Sequence, residues 1–328
     1  MTISTRLTER LRIKHPILLA PMDKVADGRL AAAVSCAGGF GILGGGYGDA
    51  AWLTHELDAA GDARVGVGFI TWSMARQPHL LDLALERRPP AILLSFGDIR
   101  PHVDRIKQAG ALLICQVQTV AQAKDAVAHG ADILVAQGAE AGGHGMSRGT
   151  FALVPAVVDA ARDVPVAAAG GVADGRGLAA ALMLGADGVL VGTRFYASRE
   201  AAGHPAAKAR MVAESGDQTV RGILFDIVRR NVWPSPYTGR VLRNSFSERW
   251  RGREAELMQC VEAESARYAQ AQQSGDFDIA AVIAGEALDL IADIPHAGEI
   301  VGRMSAEAEA LLARATNRYR TETSRHAS

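Results

Sequence analysis

The stretch VPVAAAGGVADGRGLAAALMLGADGVLVGTRF, Val164 to Phe195, shows how the chain is built. It holds two short apolar runs, VPVAAAGG and ADGVLVGTRF, separated by an Ala-rich segment that opens near Asp174, a good helix N-cap. Neither run alternates apolar with polar residues, which is the pattern of strands covered on both faces. Strand, helix and strand in so short a span make a βαβ unit of a parallel sheet.

The same unit repeats toward the N-terminus. Earlier strand candidates are HPILLAP (His15 to Pro21), GFGILGGG (Gly39 to Gly46), RVGVGFIT (Arg64 to Thr71), AILLSFG (Ala91 to Gly97), ALLICQV (Ala111 to Val117) and ADILVAQG (Ala131 to Gly138). Segments between them, such as DGRLAAAVSCAG and TVAQAKDAVAHG, begin at Asp or Thr and stop at Gly, as helices do. Eight units ending at Phe195 predict an α/β fold, a compact TIM (β/α)8 barrel, with a doubly wound sheet as the alternative. Beyond Phe195 the rhythm stops. The rest reads as helices, such as REAELMQCVEAESARYAQA, interrupted by the turn-rich NVWPSPYTGRVLRNSF (Asn231 to Phe246), which cannot be regular structure across both prolines. The expected division is a barrel over residues 1–210 and a C-terminal helical subdomain over 211–328. That subdomain is expected to lie over the barrel mouth, its terminal helices returning to the barrel wall, and the polar tail TETSRHAS is expected to fray.

Composition bounds the function. The 328 residues carry 35 basic and 36 acidic side chains, so there is no basic field of the size nucleic acid needs. The N-terminus MTISTRLTERLRIK is polar, and PILLA is too short for a signal core or a membrane span. Cys36, Cys115 and Cys260 show no CxxC or Cys/His spacing, so neither a disulfide framework nor a metal site is indicated. These features predict a cytoplasmic protein acting on small molecules, with no nucleic-acid or membrane partner, and they leave a homodimer open.

In such barrels chemistry sits in the loops after the strands, and phosphate is often held after strands seven and eight. Here those ends carry Gly170 and Gly171, followed by a helix start near Asp174, and Gly192 and Thr193. Tight turns alone would also explain the glycines, but two Gly-bearing ends on adjacent strands favour an anion site. Pro21 and Met22 end the first strand, either as packing or as a rigid wall beside a flat cofactor. Gln116 and Gln118 are polar in an apolar run, either satisfied buried amides or a match to the donor and acceptor edge of a flavin pyrimidine. AQGAEAGGHGM (Ala136 to Met146) places His144 among four glycines just past the sixth strand. It is the one histidine of nine with an address at the mouth, and its near-neutral titration suits proton abstraction.

With HPILLAPM, AGGFGILGGG, AQGAEAGGHG, AAGGVADGRGLAAALMLGADGVLVGTRF and GRVLRNSF in this order, the chain resembles the nitronate monooxygenases, formerly grouped as 2-nitropropane dioxygenases. The resemblance implies an FMN-dependent barrel that oxidises alkyl nitronates, or nitroalkanes, with O2 to a carbonyl compound and nitrite. It implies that Ala20, Pro21, Met22, Gly68, Gln116, Gln137, Ala141, Gly142 and Gly143 border the flavin, and that Gly170, Gly171, Gly192 and Thr193 take the phosphate. By the same resemblance His144 is the catalytic base. Trp233, Tyr237, Arg243 and Asn244 are candidates to close the mouth and neutralise an anionic substrate, with interdomain packing as the other account of them. Asp23 and Lys24, and the strand end GVGFIT, depart from the family's usual residues and bear on substrate choice. The alternative reading is an NAD(P)H-dependent flavin reductase, of the quinone or enoyl-ACP type, on the same barrel. A barrel of the IMP dehydrogenase type would need a cysteine after the sixth strand, which is missing, and a phosphate-ligand-binding barrel without catalysis is a third reading.

Overall fold

The computed structural model describes residues 3–318, so the tail TETSRHAS lies outside the described residues. Eight parallel strands form one sheet: β1 (Ile17–Leu19), β2 (Ile42–Gly44), β3 (Gly66–Ile70), β4 (Ala91–Ser95), β5 (Leu112–Val117), β6 (Ile133–Gln137), β8 (Val166–Ala169) and β9 (Gly188–Val191). The remaining three, β7 (Gly143–Gly145), β10 (Thr219–Gly222) and β11 (Thr238–Leu242), form a separate antiparallel sheet in the order β10, β11, β7. The parallel sheet runs β1-β9-β8-β6-β5-β4-β3-β2, and a bridge between Leu18 and Phe40 joins its two ends into a TIM barrel.

Alternation along the strands builds two cores. Leu18, Ile42, Leu93, Ile114 and Val135 fill the barrel together with Leu7 and Leu11 of the helix Arg6–Leu11, which plugs the bottom. Their strand neighbours Leu19, Leu43, Leu94, Leu113 and Leu134 pack outward against the helices. Each such side chain contributes roughly 1.5–3 kcal/mol when fully buried, so covering both faces is what makes the strands read as unbroken apolar runs. At the upper end the inward positions become polar or bare: Gly68, Gln116 and Gln137. That change is what leaves room for a site.

The long helix Ala297–Arg318 packs on the barrel wall, with Ile300, Val301, Met304 and Ala308 entering the same core as the strands. It docks on the helix Gly175–Met183 at Gly175, whose N–H donates to Glu307 Oε2 at 2.8 Å. A Cβ at Gly175 would lie 2.6 Å from Ala308 N and 2.7 Å from Met304 O. Gly175→Val is therefore expected to destabilise the protein by about 1–3 kcal/mol, the usual cost of overpacking, read from urea unfolding midpoints.

Between β9 and this helix, the chain builds a layer over the barrel mouth. Its helices share an apolar cluster of Leu224, Phe225, Phe246, Trp250 and Tyr268. The helices are joined by the antiparallel sheet, which the sequence reading did not contain. β11 starts at Thr238, just past the second proline of the turn-rich stretch, where the backbone can again donate to a ladder. No helix among the described residues is long and apolar enough to cross a membrane.

Candidate active site

A cavity of about 290 Å³ opens at the C-terminal ends of the barrel strands. Its wall includes Ala20, Pro21 and Met22 after β1, Gly68 in β3, Gln116 in β5, Gln137 in β6, Ala141, Gly142 and Gly143 in the following loop, and Gly170, Gly192 and Thr193 after β8 and β9. His144 and Trp233 line it too. Gly171 is exposed at the rim outside this wall.

Bare backbone is required at several of these positions. A Cβ on Gly68 would meet Pro21 Cβ at 2.4 Å, and one on Gly142 would lie 2.7 Å from the carbonyl carbon of Ala284. Gly170 has φ +101°, a backbone that side chains rarely adopt. The N–H groups of Gly170 and Gly192 donate to no protein acceptor among the described residues, so two donors at one end of the cavity stand available to an anion. The helix after β8 is a different matter from the sequence expectation. Asp174 accepts from Arg176 N and Gly177 N, and Glu307 takes Gly175 N, so the protein's own carboxylates already fill its N-terminus. The anion-holding capacity rests on the loop amides instead. With those amides at one end, a flat apolar wall at Pro21 and Met22, and an amide edge at Gln116, the donor set fits a phosphorylated flat cofactor.

The glutamines form a chain rather than isolated buried amides. Gln116 Nε2 and Gln118 Nε2 both donate to Gln137 Oε1, at 3.0 and 2.8 Å, and Gln137 Nε2 donates to the carbonyl of His144 at 3.1 Å. Gln118 Oε1 is buried without a partner. Gln118 N donates to Gln122 Oε1, and Gln122 Nε2 to the Tyr237 hydroxyl at 3.0 Å, which ties the barrel to the covering layer.

His144 is not on a free loop. It is the middle residue of β7, paired with Gly239 of β11, and its side chain is only 9% exposed. Its Nε2 lies 3.0 Å from both carboxylate oxygens of Asp226, on the helix Leu224–Arg229. The Trp233 ring lies flat on the imidazole, 3.4 Å between centroids and 6° apart. Burial holds the His144 pKa below its ordinary value against the opposing pull of Asp226, with Arg229 and Arg221 adding to the lowering. The imidazole is therefore neutral at pH 7 and able to accept a proton.

Trp233 is itself fixed. Its Nε1 donates to the Tyr47 hydroxyl at 2.9 Å, and its ring meets Trp72 and Phe96 edge-on at 5.3 and 5.1 Å. Phe96 takes φ +60°, a costly backbone for an aromatic residue, and there it also meets Tyr237. Burial pushes the Tyr47 hydroxyl up to about 12, so it stays protonated.

Two residues expected at the mouth are elsewhere. Asn244 is the N-cap of the helix Ser245–Trp250, exchanging hydrogen bonds with Ser247, and Arg243 pairs with Glu248 at 3.2 Å. The RN pair ends a strand and starts a helix, and that capping duty explains it. Two cations line the cavity: Lys24, largely exposed and 3.9 Å from Asp49, and Arg229, with its guanidinium 5.6 Å over the Tyr47 ring and no carboxylate within 4 Å among the described residues. Asp226, Arg229, Tyr47, Trp72 and Phe96 were all absent from the sequence reading. The one signal for the first was an acid in the apolar run GILFDIV.

Among the described residues, no group of three or more His, Cys, Asp or Glu side chains is arranged to hold a metal ion. A family model described as nitronate monooxygenase matches residues 4–65 and 68–307. A nitronate monooxygenase of Neurospora crassa is 34% identical, over 90% of each chain. The structure of FabK from Thermotoga maritima superposes with a TM-score of 0.86 at 31% identity, covering 97% of this chain and 100% of that one. Nitroalkane oxidase from Streptomyces ansochromogenes gives 0.81 at 27% identity, covering 94% and 99%.

Proposed function

Because the chain belongs to the nitronate monooxygenase family, a family of FMN-dependent oxidoreductases, we propose that it binds FMN in the barrel mouth and oxidises alkyl nitronates, and nitroalkanes, with O2. The products are an aldehyde or ketone and nitrite. The observation that carries this reading is His144, neutral, enclosed and backed by Asp226 at the wall of a cavity whose far end offers free backbone amides.

Gly170 and Gly192 would hold the FMN phosphate, Pro21, Met22, Gly68 and Gly142 its ring walls, and Gln116 its polar edge. Bound there, FMN supplies the electron chemistry. The chain's own residues do the rest. His144 takes the α-proton of a neutral nitroalkane; a nitronate arrives without that proton and bypasses this step. Arg229 supplies the positive charge that faces the nitronate, the role first assigned to Arg243. Trp233, held by Tyr47, covers the histidine and keeps water from it, and residues 211–296 act as the lid that carries Arg229 and Trp233. We place the enzyme in the cytoplasm, acting on small molecules.

Nitrite released in step with nitronate consumption by the purified, flavin-loaded protein tests the reading, and no nitrite under air contradicts it. Arg229→Met is expected to raise KM for a nitronate about tenfold, the worth of one partly screened charge contact, with a smaller change for the uncharged nitroalkane. Equal KM changes for both would remove the assigned charge role. The likeness to FabK favours a second reading, an NAD(P)H-dependent flavin reductase on the same barrel, and it requires that NADH reduce the flavin.

A further inference from the structure

We infer that Asp226 is a positioning residue that fixes which nitrogen of His144 is the base: Nε2–H is donated to the Asp226 carboxylate, and Nδ1 keeps the lone pair. The catalytic half of this inference rests on the proposed nitroalkane chemistry. The geometry is specific. Nε2 is equidistant, at 3.0 Å, from the two carboxylate oxygens, and both side chains are 9% exposed. A carboxylate only accepts, so the nitrogen facing it carries hydrogen. The surroundings hold the imidazole against this partner. Its backbone is clamped between Gly239 of β11 and the Gln137 amide, and its face is covered by Trp233.

The carboxylate also comes from a particular place. Asp226 sits in a helix whose neighbours Leu224, Phe225 and Val228 are buried in the apolar cluster of the covering layer, so the acid is held as firmly as that cluster is packed. The covering layer is thereby part of the acid–base machinery. When a nitroalkane loses its α-proton, the C–H bond breaks, its electron pair moves onto the nitro group to give the nitronate, and the proton forms a bond to Nδ1. The resulting imidazolium keeps its Nε2–H on Asp226, whose negative charge offsets the new positive one. The charged groups facing the ring are Asp226 and Arg229 from the helix and Arg221 from β10.

The test is Asp226→Asn, which preserves shape and can present either a donor or an acceptor to Nε2. Turnover of a neutral nitroalkane should fall about 10- to 100-fold, as when the partner that orients a working histidine is lost, while a preformed nitronate, which needs no proton removed, should change by less than about threefold. Asp226 raises the His144 pKa and burial lowers it, so its removal should carry the acid limb of kcat/KM for the nitroalkane to lower pH. Asp226→Glu should recover part of the nitroalkane rate. Nitrogen-15 NMR of the wild-type imidazole, which needs no turnover, should show Nε2 protonated and Nδ1 bare, and the Asn variant a mixture. Equal losses on both substrates, an unmoved acid limb, or a wild-type histidine protonated at Nδ1 would each overturn the inference. If the wild-type protein oxidises neither substrate, the nitronate reading fails, and the NMR result alone still decides the tautomer.

Discussion

His144→Ala is expected to lower turnover of a neutral nitroalkane by about 10²- to 10⁴-fold while the protein keeps its flavin, because removing a general base forfeits the proton transfer but none of the cofactor's backbone donors. The same variant should oxidise a preformed nitronate far better than a nitroalkane. Loss of the ring also removes the stacking partner of Trp233 and leaves Asp226 buried without its donor, so a lowered unfolding temperature should accompany the kinetic effect. The pH dependence has a definite sign. In the proposed chemistry neutral His144 is the active form, and its pKa lies below the usual histidine value. The nitroalkane rate of the wild-type enzyme should thus stay level through neutrality and fall only on the acid side of about pH 6.5. A nitroalkane rate unchanged in the Ala variant would take the base role from His144.

Gly170→Val is expected to weaken flavin binding by about 10²- to 10³-fold. A side chain there must adopt φ +101°, and its Cβ would lie 2.9 Å from Thr150 Oγ1 and 3.1 Å from Ala141 N. Backbone strain of this kind costs on the order of 1–3 kcal/mol, and a hydrogen bond to a charged phosphate is worth roughly 1.5–3 kcal/mol. Flavin titration of the stripped protein reads the effect directly. Wild-type affinity in the variant would show that the loop after β8 does not hold the phosphate.

Much of the fold was legible because period and punctuation agree in this chain. Runs such as ADILVAQG are apolar on both faces only if helices cover the outside and a filled barrel the inside, and Ile133 and Leu134 indeed lie in the two different cores. The strand ends were legible for the same reason, since glycine appears where a side chain would collide, as at Gly68 against Pro21. The covering layer was not. β7 and β11 are three and five residues long and pair across nearly a hundred positions of chain, and neither has a hydrophobic period to announce it.

The partners of His144 were hidden for a related reason. Asp226 is a lone acid in the apolar run GILFDIV, and only the folded layer brings its helix against His144. Tyr47, Trp72 and Phe96 follow three different barrel strands, Trp72 in the short helix Thr71–Met74, and meet around Trp233. Arg243 stood out by its place in the quoted motif, yet the sequence RNSF is strand end and helix cap, and capping geometry needs those residues where they stand. The histidine and the glycines were readable because a single residue type carries their chemistry. Its orientation was not, because orientation depends on contacts between distant segments.

Anaerobic rapid mixing of the flavin-loaded protein, separately with an alkyl nitronate and with NADH, followed by the flavin absorbance, separates oxidation of nitronates from reduction by NADH. A nitronate monooxygenase should show a fast absorbance change with the nitronate and little with NADH. Complete bleaching by NADH together with no response to the nitronate would contradict that expectation and move the chain to the reductase reading.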